Sequence, residues 1–271
     1  MAENDILIEG EIVSGDARSF ERVVRDIGRH VDKVILRSPG GSVQEAITIG
    51  RLVRKLMIET EGPDFSGESE QASCQKDYDH PNAPCVCASA CFLIYAGGFP
   101  RSVSHVMLHR PFVSPSTNAL MSFDESIRAA EGARNSVAEY LHEMGVPDRY
   151  ANVMFSTPSN AAVLVPQNEM LDYIAGYPID VEEWLMAQCQ TTTTGQAARQ
   201  FVEENARDGR RATIKNQAIR RGLIREICIM NSLKPKRDAV RHEWFGPITS
   251  AEKAKHEMEK LKFESLTQQA R

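Results

Sequence analysis

The hydrophobic pattern opens with a short mixed alternation, Ile6-Leu7-Ile8-Glu9-Gly10-Glu11-Ile12, which predicts a strand. Gly15-Asp16-Ala17 is a turn that can cap a helix, and Phe20, Val23, Val24 and Ile27 follow at helical spacing. Val34-Ile35-Leu36 predicts a second strand, ending at the glycine turn Arg37-Ser38-Pro39-Gly40-Gly41-Ser42. Val43, Ala46, Ile47, Ile49, Gly50, Leu52 and Val53 then give an amphipathic helix that ends near Lys55, and Met57-Ile58-Glu59-Thr60 a further strand. Strands and helices in this order predict an α/β domain with parallel crossovers.

Residues 61–84 break the pattern with Gly62, Pro63, Gly67, Pro81 and Pro84 among many polar residues, and predict a long inserted surface loop. Cys85 to Gly98 is then a run of small and apolar residues around one serine, Ser89. A short strand into Val86 and a buried helix starting near Ser89 are expected there. Gly97-Gly98-Phe99-Pro100-Arg101 turns the chain, and Val103 to His109 predicts a strand that Arg110-Pro111-Phe112 ends, because proline removes a ladder donor.

Ser122-Phe123-Asp124-Glu125 has the Ser-x-x-Glu form of a capping box, and the helix it opens runs to about Met144 with Ile127, Ala130, Val137, Leu141 and Met144 on one side. Gly145-Val146-Pro147-Asp148 stops it and a second helix opens. Thr157-Pro158-Ser159-Asn160 is a turn, Val163-Leu164-Val165 a short strand, and Pro166 to Gly176 a further helix. Thr191 to Gly195 reads as a linker or exposed turn. Beyond it, residues 207–241 hold eleven Lys/Arg against three acidic residues, with Ile219, Leu223, Ile224, Ile227 and Cys228 as an apolar helical face. A solvated basic face, or binding to acidic lipid, nucleic acid or a partner, would each use such a helix. Residues 250–271 read as an exposed charged helix.

Composition narrows the function classes. A chain of 271 residues with 42% hydrophobic content can bury a sizeable core, and its net charge of −5 gives no global pull toward nucleic acid or anionic membrane. No apolar run approaches the ~18 residues that span a bilayer, so no transmembrane segment is expected. Met1-Ala2-Glu3-Asn4-Asp5 lacks the basic and apolar regions of a signal peptide. The expected compartment is therefore the cytoplasm, or the periplasm or exterior if a signal is missing from the chain.

Four of the six cysteines, Cys74, Cys85, Cys87 and Cys91, fall close together. Cys74, His80, Cys85 and Cys87 are four possible zinc ligands, but their spacing lacks the paired CxxC of structural zinc sites. An oxidising compartment favours a disulfide from Cys74 to Cys85 or Cys87 instead. Cys91 reads most simply as a small buried side chain. No cofactor or metal is expected. Ser89, at a predicted helix start, is either an N-cap or a nucleophile beside free N–H groups.

Three blocks carry a resemblance. Leu36-Arg37-Ser38-Pro39-Gly40-Gly41-Ser42-Val43, then Cys87-Ala88-Ser89-Ala90-Cys91 with Ala96-Gly97-Gly98, then Val106-Met107-Leu108-His109-Arg110-Pro111 occur in the order and rough spacing of the Clp protease proteolytic subunit. Over about residues 6–180 the sequence resembles a divergent bacterial member of the Clp/crotonase fold, and its Cys-Ala-Ser-Ala-Cys block is similar to a group of often exported Clp-like proteins. The resemblance implies an α/β, ββα superhelix with a handle helix at Asp124 to Met144; the domain is expected over 1–185, and a helical, partly basic extension with no counterpart in the family over 186–271. It implies a serine peptidase acting on a peptide or protein substrate as a homo-oligomer, and it names no unfoldase partner. Ser89 would be the nucleophile and His109 the base, with Gly41 and Ala90 N–H groups as the oxyanion hole and Gly40 permitting the backbone approach.

The sequence departs from the family at the third catalytic position. Where the family has an aspartate just before Val163-Leu164-Val165, this chain has Ser159-Asn160-Ala161-Ala162. Asn160, or Asp148 or Asp172 from elsewhere, would have to orient His109; a Ser-His dyad and an inactive protein used as a binding or assembly module are the alternatives. A crotonase-type enzyme acting on acyl-thioesters would use the same oxyanion turn, but Ser89 and His109 occupy peptidase positions. The 61–84 loop is expected near the site as a lid or substrate filter.

Overall fold

The computed structural model describes residues 4–63, 85–111, 121–192, 196–197 and 212–249, with side chains described outside 212–224. The Cys74 pairing, His80, the 64–84 part of the inserted loop, Phe112, residues 207–211 and the helix expected over 250–271 lie outside the described residues.

A parallel sheet in the order β1-β2-β3 is formed by β1 (Asp5–Glu9), β2 (Lys33–Arg37) and β3 (Glu59–Glu61). Ile6 pairs with Val34, and Val34 with Thr60. Parallel neighbours require crossovers, supplied by α1 (Asp16–Ile27) with the 3-10 turn Gly28–His30, and by α2 (Val43–Lys55). Ser42 starts α2 as its N-cap, accepting from Glu45 N. These elements match the expected pattern within a few residues. The first strand ends at Glu9, three residues early, and the third begins at Glu59, two residues late, where Met57 turns the chain at φ 53.

The next element is α3 (Ala90–Ala96), and every one of its residues is fully buried. A helix that is apolar all round belongs in a core; burial of Phe92, Leu93 and Ile94 contributes about 1.5–3 kcal/mol each. Burial leaves the carbonyls at the helix C-terminus needing partners, and four elements supply them with side chains. Tyr140 Oη donates to Leu93 O at 2.7 Å and Thr60 Oγ1 to Tyr95 O at 2.8 Å. Arg54 Nη2 donates to Ala96 O at 3.0 Å, and Arg101 Nη1 to the same oxygen at 3.4 Å and to Met144 O at 3.1 Å. Burial, then the like charge of Arg54, pull the Arg101 guanidinium down to about 10. Burial likewise pushes the Tyr95 and Tyr140 hydroxyls up.

The strand expected over Val103 to His109 is shorter, β4 (Met107–Leu108). Upstream of it, Ser104 turns its hydroxyl to Gly62 N and His105 N donates to Pro63 O, so those residues bind the start of the inserted segment rather than a ladder. The capping box holds: Ser122 and Glu125 exchange both bonds at the start of α4 (Phe123–Glu143), and the backbone and hydroxyl of Ser122 lower the Glu125 carboxyl. Only its last turns are packed, through Val137, Tyr140 and Leu141; Ile127, expected on the packed side, is exposed.

α5 (Arg149–Ser156) follows, and β5 (Val163–Leu164) pairs antiparallel with β4, Met107 opposite Leu164. α6 (Gln167–Glu169) continues as a π-turn over Met170–Ile174.

The boundary expected at residue 185 falls inside α7 (Ile179–Cys189), a helix the sequence pattern did not announce. The Cys189–Cys228 disulfide ties α7 to α8 (Ala212–Phe245). Arg241 of α8 is buried and donates to Leu56 O at 3.1 Å and Arg29 O at 2.6 Å, so the extension packs on the sheet domain. Ile227, expected on the apolar face of this helix, is exposed, and Ile229 is the buried residue instead.

Candidate active site

Ser89 sits where a short extended segment enters α3. Ala88 N donates to Ser38 O at 3.0 Å, Met107 N to Cys87 O at 2.9 Å and Ser89 N to Met107 O at 3.0 Å. The serine is thus suspended between the segment after β2 and the start of β4. Its backbone has φ 54 and ψ −119, a conformation that side-chain-bearing residues rarely adopt. Such a backbone costs about 1–3 kcal/mol and persists where the surroundings fix it. Ser89 occupies the N-cap position, yet its side chain makes no cap hydrogen bond. The capping role weighed from the sequence is therefore not the one this hydroxyl plays. Among the described residues Ser89 Oγ has no hydrogen-bond partner.

The glycine turn lies directly on it. A Cβ at Gly40, whose φ is +106, would fall 2.8 Å from both Ala88 O and Ser89 Cβ and 3.0 Å from Ala90 N. Gly41 has φ +138, and a Cβ there would meet Ile12 O at 2.1 Å. Only glycine can bring this turn so close. Ile12 N donates to Gly40 O and Ser42 N to Ile12 O, both at 2.8 Å, while Gly40 N donates to Ser38 Oγ at 3.1 Å. The N–H groups of Gly41 and Ala90 are left without an acceptor among the described residues. Gly40 is therefore packed against Ser89 and Ala90, with Gly41 next to it in the chain and packed on Ile12.

His109 follows β4, two residues beyond the Met107 that binds Ser89 N. Its Nδ1 is 3.1 Å from Arg110 O. A carbonyl only accepts, so Nδ1 is the donor in this contact, and in the neutral imidazole Nε2 is then the acceptor, the tautomer a general base needs. No hydrogen bond joins His109 to Ser89 Oγ. Asn160 is exposed on its turn and shares no hydrogen bond with His109. Of the other expected orienters, Asp148 lies 3.6 Å from His142, and Asp172 lines a cavity with Arg101 and Tyr177; neither bonds His109.

The cysteines correct the sequence reading. Cys87 is bonded to Cys91, with Cα atoms 5.2 Å apart, so Cys87 is not the partner of Cys74; Cys91 is buried as expected, but as half of a disulfide. The bridge spans Ser89, joining the strand residue two before it to the helix residue two after it. The reason is local: the first turn of α3 carries residue 91 back over residue 87. Cys85 is also disulfide-bonded, so neither Cys85 nor Cys87 offers a thiolate to the zinc set. Among the described residues no group of His, Cys, Asp and Glu could hold a metal.

Residues that hold the site from behind, namely Thr60, Arg54, Arg101 and Tyr140, were not singled out from the sequence. A polar residue inside an apolar neighbourhood, such as Arg101 just after the Gly97-Gly98 turn, was the available signal.

No protein-family model matches the chain, and no curated protein matches it. Among solved structures it is similar to ClpP1 from Listeria monocytogenes, at 17% identity and a TM-score of 0.38, covering 63% of this chain and 87% of that one. An asparagine-to-aspartate mutant of the same protein gives 19% identity and a TM-score of 0.37 over the same shares, 63% and 87%. Likeness at this distance says nothing about activity.

Proposed function

We propose that the chain is a serine peptidase of Clp type that cleaves peptide bonds through Ser89. The observation that carries this reading is the unbonded Ser89 hydroxyl on a positive-φ backbone, set against the unpaired N–H groups of Gly41 and Ala90. In this reading Ser89 Oγ attacks the peptide carbonyl and His109 Nε2 takes its proton, then delivers it to the leaving amine. The oxygen of the tetrahedral intermediate accepts from Gly41 and Ala90 N–H; loss of one such donor costs about 2.7–4 kcal/mol of transition-state stabilisation. Ser89 and His109 share no hydrogen bond at rest, so the imidazole has to settle on Oγ as substrate binds.

The substrate is a peptide or protein, and the chain works as a homo-oligomer. The exposed start of α4, with Phe123 80% and Ile127 42% accessible, supports such a contact. The Cys87–Cys91 and Cys189–Cys228 disulfides support an oxidising compartment, the periplasm or the exterior.

A second reading, a binding or assembly module without turnover, is favoured by one observation: Nδ1 of His109 meets the main-chain carbonyl of Arg110 and no carboxylate. A fluorophosphonate probe separates the two. Labelling of the folded wild type that disappears in Ser89→Ala supports the peptidase, and a folded protein that never labels leaves the module.

A further inference from the structure

The basic stretch noted in the sequence has no part in the reaction above, and its described end lines a large cleft. That cleft has a volume of 720 Å³ and lies between the 3-10 turn Gly28–His30 and α8. We propose that it binds a small phosphorylated ligand carrying two or more negative charges.

The charges are arranged for an anion. Arg29, Lys234, Arg237 and Arg241 line the cleft against two carboxylates, Asp32 and Asp238. One of those carboxylates is already engaged, since Lys234 Nζ is 2.5 Å from Asp238 Oδ2. Arg241 is only 7% exposed, and its guanidinium meets the main-chain oxygens of Leu56 and Arg29 and no carboxylate. Those carbonyls fix its position without neutralising it. Arg237, half-buried beside it, has no hydrogen bond or ion pair among the described residues. Burial, then the like charge of Arg237, pull Arg241 down to about 10, against the opposing pull of Asp32 and Asp238. His30 and His242 also line the cleft and can add positive charge on protonation.

Among the described residues the lining carries four cationic side chains against two carboxylates, an excess of two positive charges that suits a phosphomonoester or diphosphate. Guanidinium forks suit phosphate oxygens. The size falls in the range of small-molecule pockets rather than of flat macromolecular contacts. Pro235, Ala239 and Ile248 give the cleft an apolar wall for the remainder of the ligand.

Titration calorimetry of the full chain with inorganic pyrophosphate at low salt tests the proposal. Arg237→Gln removes a side chain with no hydrogen bond or ion pair among the described residues and relieves a like charge beside Arg241, so its thermal midpoint should be no lower than that of the wild type. Its affinity should fall about tenfold, the loss of one charge-assisted contact. Arg128→Gln, on the exposed face of α4, should bind as the wild type does. Vesicles containing phosphatidic acid separate two sources of the same chemistry. Vesicle binding that pyrophosphate displaces assigns a lipid headgroup, and pyrophosphate binding without vesicle binding assigns a free ligand; both support the site. Absence of binding at millimolar pyrophosphate overturns the proposal. So does a loss in Arg128→Gln equal to that in Arg237→Gln, which would be diffuse surface charge.

Discussion

The two ends of α3 are built on opposite terms. At the C-terminal end, Tyr140, Thr60, Arg54 and Arg101 each place a donor on a helix carbonyl. At the N-terminal end, the Gly41 and Ala90 N–H groups and the Ser89 hydroxyl have no partner among the described residues, and the backbone at Ser89 is held at φ 54. One helix, seven residues long, therefore has a closed end that provides stability and an open end that is strained. Buried polar groups are normally paired, and strain persists where function keeps it. In the peptidase reading proposed above, the chemistry falls at the open end and the support for it at the closed one.

The strongest way to break this contrast is to fill the open end. Gly40→Ala puts a methyl 2.8 Å from Ser89 Cβ and Ala88 O. Fluorophosphonate labelling should then fall to background, with a stability loss of about 1–3 kcal/mol in urea unfolding, because the new atom overpacks a fixed site. Retained labelling would mean that the glycine turn is not part of the site. Ser89→Gly sharpens the same point. It removes the nucleophile and also the side chain that resists φ 54. Labelling should vanish while stability rises by about 1 kcal/mol or more. A stability loss would show that the backbone there is not strained.

At the closed end the effects should reverse in kind. Tyr140→Phe leaves Leu93 O without its donor, so unfolding should be easier by about 1–3 kcal/mol. Labelling of the folded fraction should change much less than in Gly40→Ala, which kinetic labelling below the unfolding transition can measure. The Cys87–Cys91 bridge lies between the two classes, since it joins the strand before Ser89 to the first turn of α3. Replacing both cysteines by alanine should cost about 2 kcal/mol by the loop-entropy model and slow labelling.

The smallest effect concerns Glu125 in the capping box of α4. Its carboxyl is lowered by Ser122, so its contribution is present above the ordinary carboxylate value of 4.5 and is lost as pH falls through the lower, folded value. Helicity at the start of α4, followed by amide exchange, should decrease only in acid, and Glu125→Gln should abolish that pH dependence.

The parallel sheet, the glycine turn and the capping box were legible because each rests on local chemistry: alternation of apolar residues, glycines at positive φ, and a serine three residues before a glutamate. The approach of Gly40 to Ser89 and Ala90 was legible through two of the ordered blocks, 36–43 and 87–91. What escaped the sequence depends on contacts between distant residues. Nothing near Tyr140 in the chain says that its hydroxyl will reach Leu93 O. Cys91 reads as a small core residue because it lies in an apolar run, and it is buried, but the first helical turn also carries it back to Cys87. Asn160 occupies the expected place in the chain, but its turn leaves it exposed and away from the His109 hydrogen bond. α7 went unannounced because its apolar and polar residues do not segregate: Leu185 and Glu182 are buried while Trp184 is 48% exposed.

The central claim is that the open end of α3 activates one serine. Peptide mapping by mass spectrometry after fluorophosphonate treatment of the folded protein tests it most directly. A single adduct on Ser89, lost in His109→Gln with the fold retained, is the predicted result. An adduct on a different serine, or none on protein shown to be folded, would contradict it.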